Sequence, residues 1–149
     1  MQTSVAMTDI GRKRKVNQDY VYASDLPVGN LPNLYIVADG MGGHKAGDLA
    51  SSYAVQTIVE SIEKSTETRP ALILQKAVRY ANYRLFEKAA EREEYQGMGT
   101  TLVVLTVYGN EALAVNISIR QSEQKFTGFI YFRRLHPHQC KVRQFIIFL

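Results

Sequence analysis

The chain has 149 residues, 46% hydrophobic and 21% charged, with a formal net charge of +4. That balance suits one folded domain and excludes a chain disordered throughout. The lone cysteine, Cys140, excludes an internal disulfide and fits a reducing compartment. No run approaches the roughly 18 apolar residues of a membrane span, and Met1 to Asp9 lacks the basic start and apolar stretch of a secretory leader. Basic clusters at Arg12 to Lys15 and at Arg133, Arg134, Lys141 and Arg143 read as solvated faces. The expectation is a cytoplasmic protein that engages neither nucleic acid nor membrane.

In chain order, Gln2 to Thr8 reads as a short strand or its approach, and Asp9 to Asp19 as a polar, basic loop. Tyr20 to Ala23 is β-branched and aromatic, so it reads as a strand. Pro27, Gly29 and Pro32 mark a loop over Asp25 to Asn33. Leu34 to Ala38 is a nearly continuous apolar run, expected to be a buried central strand. Gly40, Gly42 and Gly43 then predict that the strand stops and the chain turns. From Ala46 the spacing of Leu49, Tyr53, Ile58 and Ile62 is near-helical. A second helix is expected over Ala71 to Glu94, with Leu74, Ala77, Val78, Ala81, Leu85 and Ala89 recurring at threes and fours until Gly97 and Gly99 break it. Thr100 to Tyr108, the turn Gly109-Asn110 and Glu111 to Asn116 predict a hairpin. Strands, two consecutive helices and strands again argue an α+β fold, with both helices on one face of a mostly antiparallel sheet.

The candidate chemistry lies in the carboxylates. Asp39 follows a buried strand and opens the glycine-rich segment, where an unpaired charge is costly. Asp19 stands at the edge of another predicted strand. If those strands pair, both carboxylates converge beside the Gly40 carbonyl in an all-oxygen environment of the kind Mg²⁺ or Mn²⁺ prefers. The competing reading is a solvated Asp-Gly turn. By residue type alone His44 fits a proton donor, a ligand or a surface residue, and Arg14 fits a forked phosphate grip or one member of a basic loop. Nucleotide fingerprints are excluded: the P-loop match fails around Lys45, and the dinucleotide pattern fails because Lys45 stands where the third glycine belongs. His44, His136, His138 and Cys140 have no zinc-site spacing.

Three ordered segments carry a family likeness. Thr8-Asp9-Ile10-Gly11-Arg12-Lys13-Arg14-Lys15-Val16-Asn17-Gln18-Asp19 resembles the first motif of the PPM (PP2C-like) metal-dependent serine/threonine phosphatases, bacterial type. Val37 to Ser51, containing Asp39-Gly40-Met41-Gly42-Gly43-His44, is similar to the second motif, and Gly97-Met98-Gly99-Thr100-Thr101 to the third. The likeness covers about residues 3 to 117. It implies a sandwich of two antiparallel sheets flanked by helices, with two divalent ions, Mg²⁺ or Mn²⁺, at one edge. Asp39 would bridge the ions, the Gly40 carbonyl would bind one, and Asp19 would hold one directly or through water. Gln18 stands where many members have glutamate, removing one negative charge. Arg14 would bind the substrate phosphate and His44 would protonate the leaving alkoxide. Water activated between the ions would attack phosphorus in line, with no phosphoenzyme. The implied partners are phosphoserine and phosphothreonine proteins made by a bacterial kinase.

The likeness stops at residue 117, dividing the chain into the N-terminal half of such a domain at 1–117 and an atypical tail at 118–149. Ser118-Ile119-Arg120-Gln121 stands where the family pattern has Gly-Asp-Ser-Arg, and the later Asp-Gly and Asp-Asn carboxylates do not follow. Read one base later, codons compatible with Arg134 to Cys140 can spell Asp-Ser-Thr-Leu-Ile-Asn-Ala, close to a downstream family motif. The simplest expectation is a tail out of frame and a fold lacking its C-terminal half, with exposed sheet edges and low stability. On that expectation the chain is a truncated phosphatase; the alternatives are an inactive remnant or a phosphate-binding interaction module.

Overall fold

A computed structural model describes residues 3–9, 16–43, 46–120, 123–134 and 144–147. The strands are β1 (Thr3–Ala6), β2 (Asp19–Ser24), β3 (Leu34–Met41), β4 (Gly99–Tyr108), β5 (Glu111–Arg120), β6 (Glu123–Arg134) and β7 (Gln144–Ile147). Between β3 and β4 lie the helices α1 (Ala46–Glu63) and α2 (Pro70–Ala90) and a short 3₁₀ turn, Glu93–Tyr95. Strands β2-β3-β4-β5-β6 form one antiparallel sheet in that order. The α+β class is as expected, and the Gly109-Asn110 hairpin joins β4 to β5.

Alternation along the strands sends Leu34, Ile36 and Ala38 of β3, Leu102 and Val104 of β4, and Leu113, Val115 and Ile117 of β5 to one face. There they join Ala50, Ala54, Ile58 and Ile62 of α1 and Leu74, Ala77, Val78, Ala81 and Leu85 of α2 in one core. The two helices are antiparallel: the Lys88 ammonium, in the last turn of α2, sits 5.9 Å from the Tyr53 ring in the first half of α1. The face of α1 against the sheet is mostly small, with Ala46, Gly47, Ala50, Ser51 and Ala54 all buried, so helix and sheet approach closely. Leu49 and Tyr53 are only partly buried beside them. No described helix is long and apolar enough to cross a membrane.

Several boundaries depart from the sequence expectation for identifiable reasons. Helix α2 ends at Ala90, four residues before its expected end. Glu91, Glu93 and Glu94 cluster at the negative end of the helix dipole, where acidic residues disfavour continuation. Strand β3 does not stop at Ala38 but runs through Asp39 and Gly40 to Met41, pairing Gly40 with Thr100. Helix α1 presses on this segment: a Cβ on Gly40 would lie 1.9 Å from the Gly47 carbonyl oxygen and 2.6 Å from that of Gln18. Only glycine permits that approach, and the turn itself falls on Gly42, at φ 143°. The loop residue Asn33 is also an honorary strand residue. Its side chain accepts the Val107 N–H at 2.8 Å and donates to the Val107 carbonyl at 2.6 Å, satisfying buried backbone as a further ladder residue would.

The resemblance implied a second antiparallel sheet. Among the described residues the second ladder is instead the parallel pair β1–β7. No hairpin joins these strands, which lie far apart in the sequence, so nothing local dictates antiparallel pairing. Strand β1 is anchored through Asp25, whose carboxylate accepts the Ser4 N–H at 3.0 Å and the Tyr35 hydroxyl at 2.9 Å. Those hydrogen bonds hold the Asp25 carboxyl below its usual range, Ser4 contributing most. Burial, reinforced by Asp25, pushes the Tyr35 phenol up to about 12.

Two outcomes follow for stability. Gly40→Ala will destabilise the fold by about 3 kcal/mol or more, because backbone must move to admit the methyl, whereas Gly43→Ala, with open space around the same position, will change it little in denaturant titrations. Because Tyr35 titrates higher in the fold, its contribution is complete below the unfolded tyrosine value of 10 and is lost as pH rises toward about 12. The Asp25 contribution has the opposite sense, complete above 3.8 and lost as pH falls below it. Melting curves of Tyr35→Phe across alkaline pH should therefore lose part of the wild-type decline.

Candidate metal centre

The candidate centre lies where β2 and β3 end beside the glycine turn. The register sets Asp19 directly opposite Asp39. Gly40 N–H donates to the Gln18 carbonyl at 2.9 Å, which makes that neighbouring pair the hydrogen-bonded one. Asp19 and Asp39 therefore occupy the non-hydrogen-bonded position, where opposing Cα atoms are about 4.5 Å apart and side chains are closest. Both residues are half-buried. Their side chains leave the sheet on the face away from the helices, since Ala38 and Gly40 take the helical side. The row continues across the sheet, Asp39 opposite Thr101 and Thr101 opposite Ser118.

Local hydrogen bonds hold this edge in place. Asn17 accepts the Asp19 N–H through Oδ1 at 3.0 Å and donates from Nδ2 to the Thr8 hydroxyl at 2.9 Å, fixing the entry to β2. The Gln18 amide donates to the Gly42 carbonyl at 3.3 Å, tying β2 to the turn after β3. The Thr100 hydroxyl donates to the Asp39 carbonyl at 3.0 Å. Sequence reasoning treated Gln18 as a missing charge and gave Asn17 and Thr100 no separate task. The usable signal for Asn17 was an Asx residue two positions before a strand residue that needs its N–H capped.

Of the predicted site residues, the structure thus brings together Asp19, Asp39 and Gly40. Arg14 and His44 lie outside the described residues. Like charges placed directly opposite each other on a sheet destabilise the pairing, so a divalent cation between Asp19 and Asp39 would relieve the repulsion. Carboxylate oxygens with room for water suit a hard ion such as Mg²⁺ or Mn²⁺. The residues therefore fit part of a metal shell. They do not close one: among the described residues no three His, Cys, Asp or Glu side chains gather into a metal-binding group.

Comparison with known proteins identifies the family. The family model for protein phosphatase 2C matches residues 10–118. Protein phosphatase PhpP of Streptococcus pneumoniae is 37% identical over 117 residues, covering 74% of this chain and 45% of that protein. The chain therefore spans less than half the length of this relative. Among solved structures, serine/threonine phosphatase Stp1 of Staphylococcus aureus matches with a TM-score of 0.73 at 20% identity, over 85% of this chain and 69% of that one. The catalytic domain of the serine/threonine phosphatase PstP, in complex with two manganese ions, matches with a TM-score of 0.70 at 21% identity, over 85% and 69%. With three motifs in order, the carboxylates paired across β2 and β3, and a family model covering most of its length, this chain belongs to the protein phosphatase 2C family.

Proposed function

We propose that the chain carries the metal-binding front part of a divalent-cation-dependent phosphatase that hydrolyses phosphoserine and phosphothreonine in proteins. The observation that carries this reading is the placement of Asp19 opposite Asp39 at the non-hydrogen-bonded position. Asp39 and Asp19 would hold the cation through carboxylate oxygens, with the Gly40 carbonyl as a further ligand. When bound, Mg²⁺ or Mn²⁺ lowers the pKa of a water molecule and neutralises charge on the phosphoryl oxygens. Arg14 grips the substrate phosphate with its forked guanidinium, and His44 donates a proton to the departing serine or threonine oxygen. The substrates are products of a serine/threonine kinase sharing the reducing cytoplasm that a single cysteine suits. A two-ion centre needs carboxylates beyond these two, and the segment from 118 onward, which we read as out of frame, does not supply the family pattern.

One observation favours a second reading, a remnant that binds cation or phosphate without turnover: the described residues do not complete a three-ligand cluster. Two measurements decide. Mn²⁺ at a hundredfold excess over its dissociation constant should stabilise the wild-type protein by about 2.7 kcal/mol in thermal melts. Asp39→Asn should abolish that shift, and a shift unchanged in the variant would overturn the site. In p-nitrophenyl phosphate hydrolysis with Mn²⁺, turnover that EDTA and Asp39→Ala both remove is the expected result. Turnover no greater than that of Asp39→Ala, with phosphopeptide binding retained, would select the second reading. Sequencing the gene across codons 117 to 120 tests the frame, and an intact frame with the tail confirmed in the protein would overturn that part.

A further inference from the structure

One peptide unit, between Asp39 and Gly40, joins two of the proposed ligands. The Asp39 side chain leaves the chain just before it and the Gly40 carbonyl just after it. The peptide is planar, so the tilt of its plane sets how those two groups point relative to each other. That plane is held on both sides. Its N–H, belonging to Gly40, donates to the Gln18 carbonyl of β2 at 2.9 Å. Its C=O, belonging to Asp39, points the opposite way, toward β4, and accepts the Thr100 hydroxyl at 3.0 Å. The same hydroxyl lies 3.0 Å from the carbonyl oxygen of Thr101, which the register sets opposite Asp39. Thr100 therefore shares one proton between the carbonyls of a facing pair.

The hydroxyl stands in an apolar place. Thr100 is fully buried on the helical side of the sheet, opposite Gly40 on β3 and Ile119 on β5, and the next residues on its side of β4 are Leu102 and Val104. A valine has the same branched shape and suits a strand equally well. Burying a hydroxyl there costs free energy unless it is hydrogen-bonded, and its bond goes to the peptide between the ligands. We infer that Thr100 is a positioning residue of the metal centre: from the helical side of the sheet, its hydroxyl fixes the Asp39–Gly40 peptide plane and with it the relative aim of the Asp39 carboxylate and the Gly40 carbonyl. This rests on Asp39 and Gly40 being ligands, as proposed. A small divalent cation demands near-ideal ligand geometry, so a tilt of the plane is felt as lost affinity. The strand carries its own comparison. Thr106, on the same side of β4 and also fully buried, donates to the Asn33 carbonyl at 2.9 Å, about 20 Å further along at 3.4 Å per residue. It makes the same kind of bond, far from the carboxylates.

Three variants of the full chain test this with two readouts, neither of them activity: Mn²⁺ affinity by electron paramagnetic resonance of the free ion, and hydrogen exchange of the Gly40 amide without metal. Thr100→Val should weaken Mn²⁺ binding by about tenfold or more, the usual effect of removing a group that orients a ligand. It should also speed Gly40 exchange about tenfold more than Thr106→Val does, since the opening is local. Thr100→Ser, which keeps the hydroxyl and loses the methyl, should hold both readouts within about threefold of wild type. Thr106→Val should lower the melting temperature much as Thr100→Val does and leave Mn²⁺ affinity within the same margin. Thr100→Ser as weak as Thr100→Val would assign the effect to packing and overturn the inference. So would Thr106→Val weakening Mn²⁺ equally, which would mean a general loosening of β4. If Asp39→Asn abolishes Mn²⁺ binding while Thr100→Val retains it, the role of Thr100 falls and the metal centre stands. If the wild-type chain binds no Mn²⁺, or Asp39→Asn binds it as well, both fall together.

Discussion

The hydrogen bond from Gly40 N–H to the Gln18 carbonyl decides the rest of the site. It selects which pairs along β2 and β3 exchange hydrogen bonds and which do not, and so places Asp19 and Asp39 at the closer kind of opposition. A one-residue slip would turn every side chain of β2 to the other face, send Asp19 toward the core and bring out its apolar neighbours. Register is held from both ends: by Asn17 capping the start of β2, and by Gln18 reaching across to the turn at Gly42. From the helical side, α1 closes on Gly40 through Gly47. The glycine pattern is therefore a packing requirement before it is a turn signal.

The same geometry carries a cost. Two carboxylates placed opposite each other are a like-charge pair, which sheet pairing by itself disfavours. The core beneath holds the pair in place. The buried residues of β3, β4 and β5 lock the strands in register on the helical face, so this edge belongs to a rigid sheet. A site built on strands and seated on a packed core holds its side chains at a fixed spacing. The row of oxygen-bearing residues continues through Thr101 and Ser118 on the face away from the helices.

Much of this was legible in the residues. The apolar run Leu34 to Ala38, the threes-and-fours pattern from Leu74 to Ala89, and Gly109-Asn110 each point to one local structure, and the coordinates agree. The carboxylate convergence was conditional on β2 pairing with β3, which no local pattern states. What could not be read depends on partners distant in sequence. Gly40 remains in a strand because α1 folds back onto it. Asn33 completes a ladder only once Val107 lies beside it. The parallel pairing of β1 with β7 joins residues from opposite ends of the chain. The end of α2 was readable in principle, since the acids after Ala90 oppose the helix dipole, but the glycines further on gave a louder signal.

The contact between Gly40 and Gly47 has a mechanical meaning. Main chain rests on main chain there, with no flexible side chain between to absorb movement. Such a joint transmits displacement almost undiminished, like a pin through two stiff plates. A translation of α1 along or away from the sheet would reach the carboxylates one residue away as a change in their separation. The spacing of Asp19 and Asp39 is thus geared to the seating of a helix on the other face of the sheet.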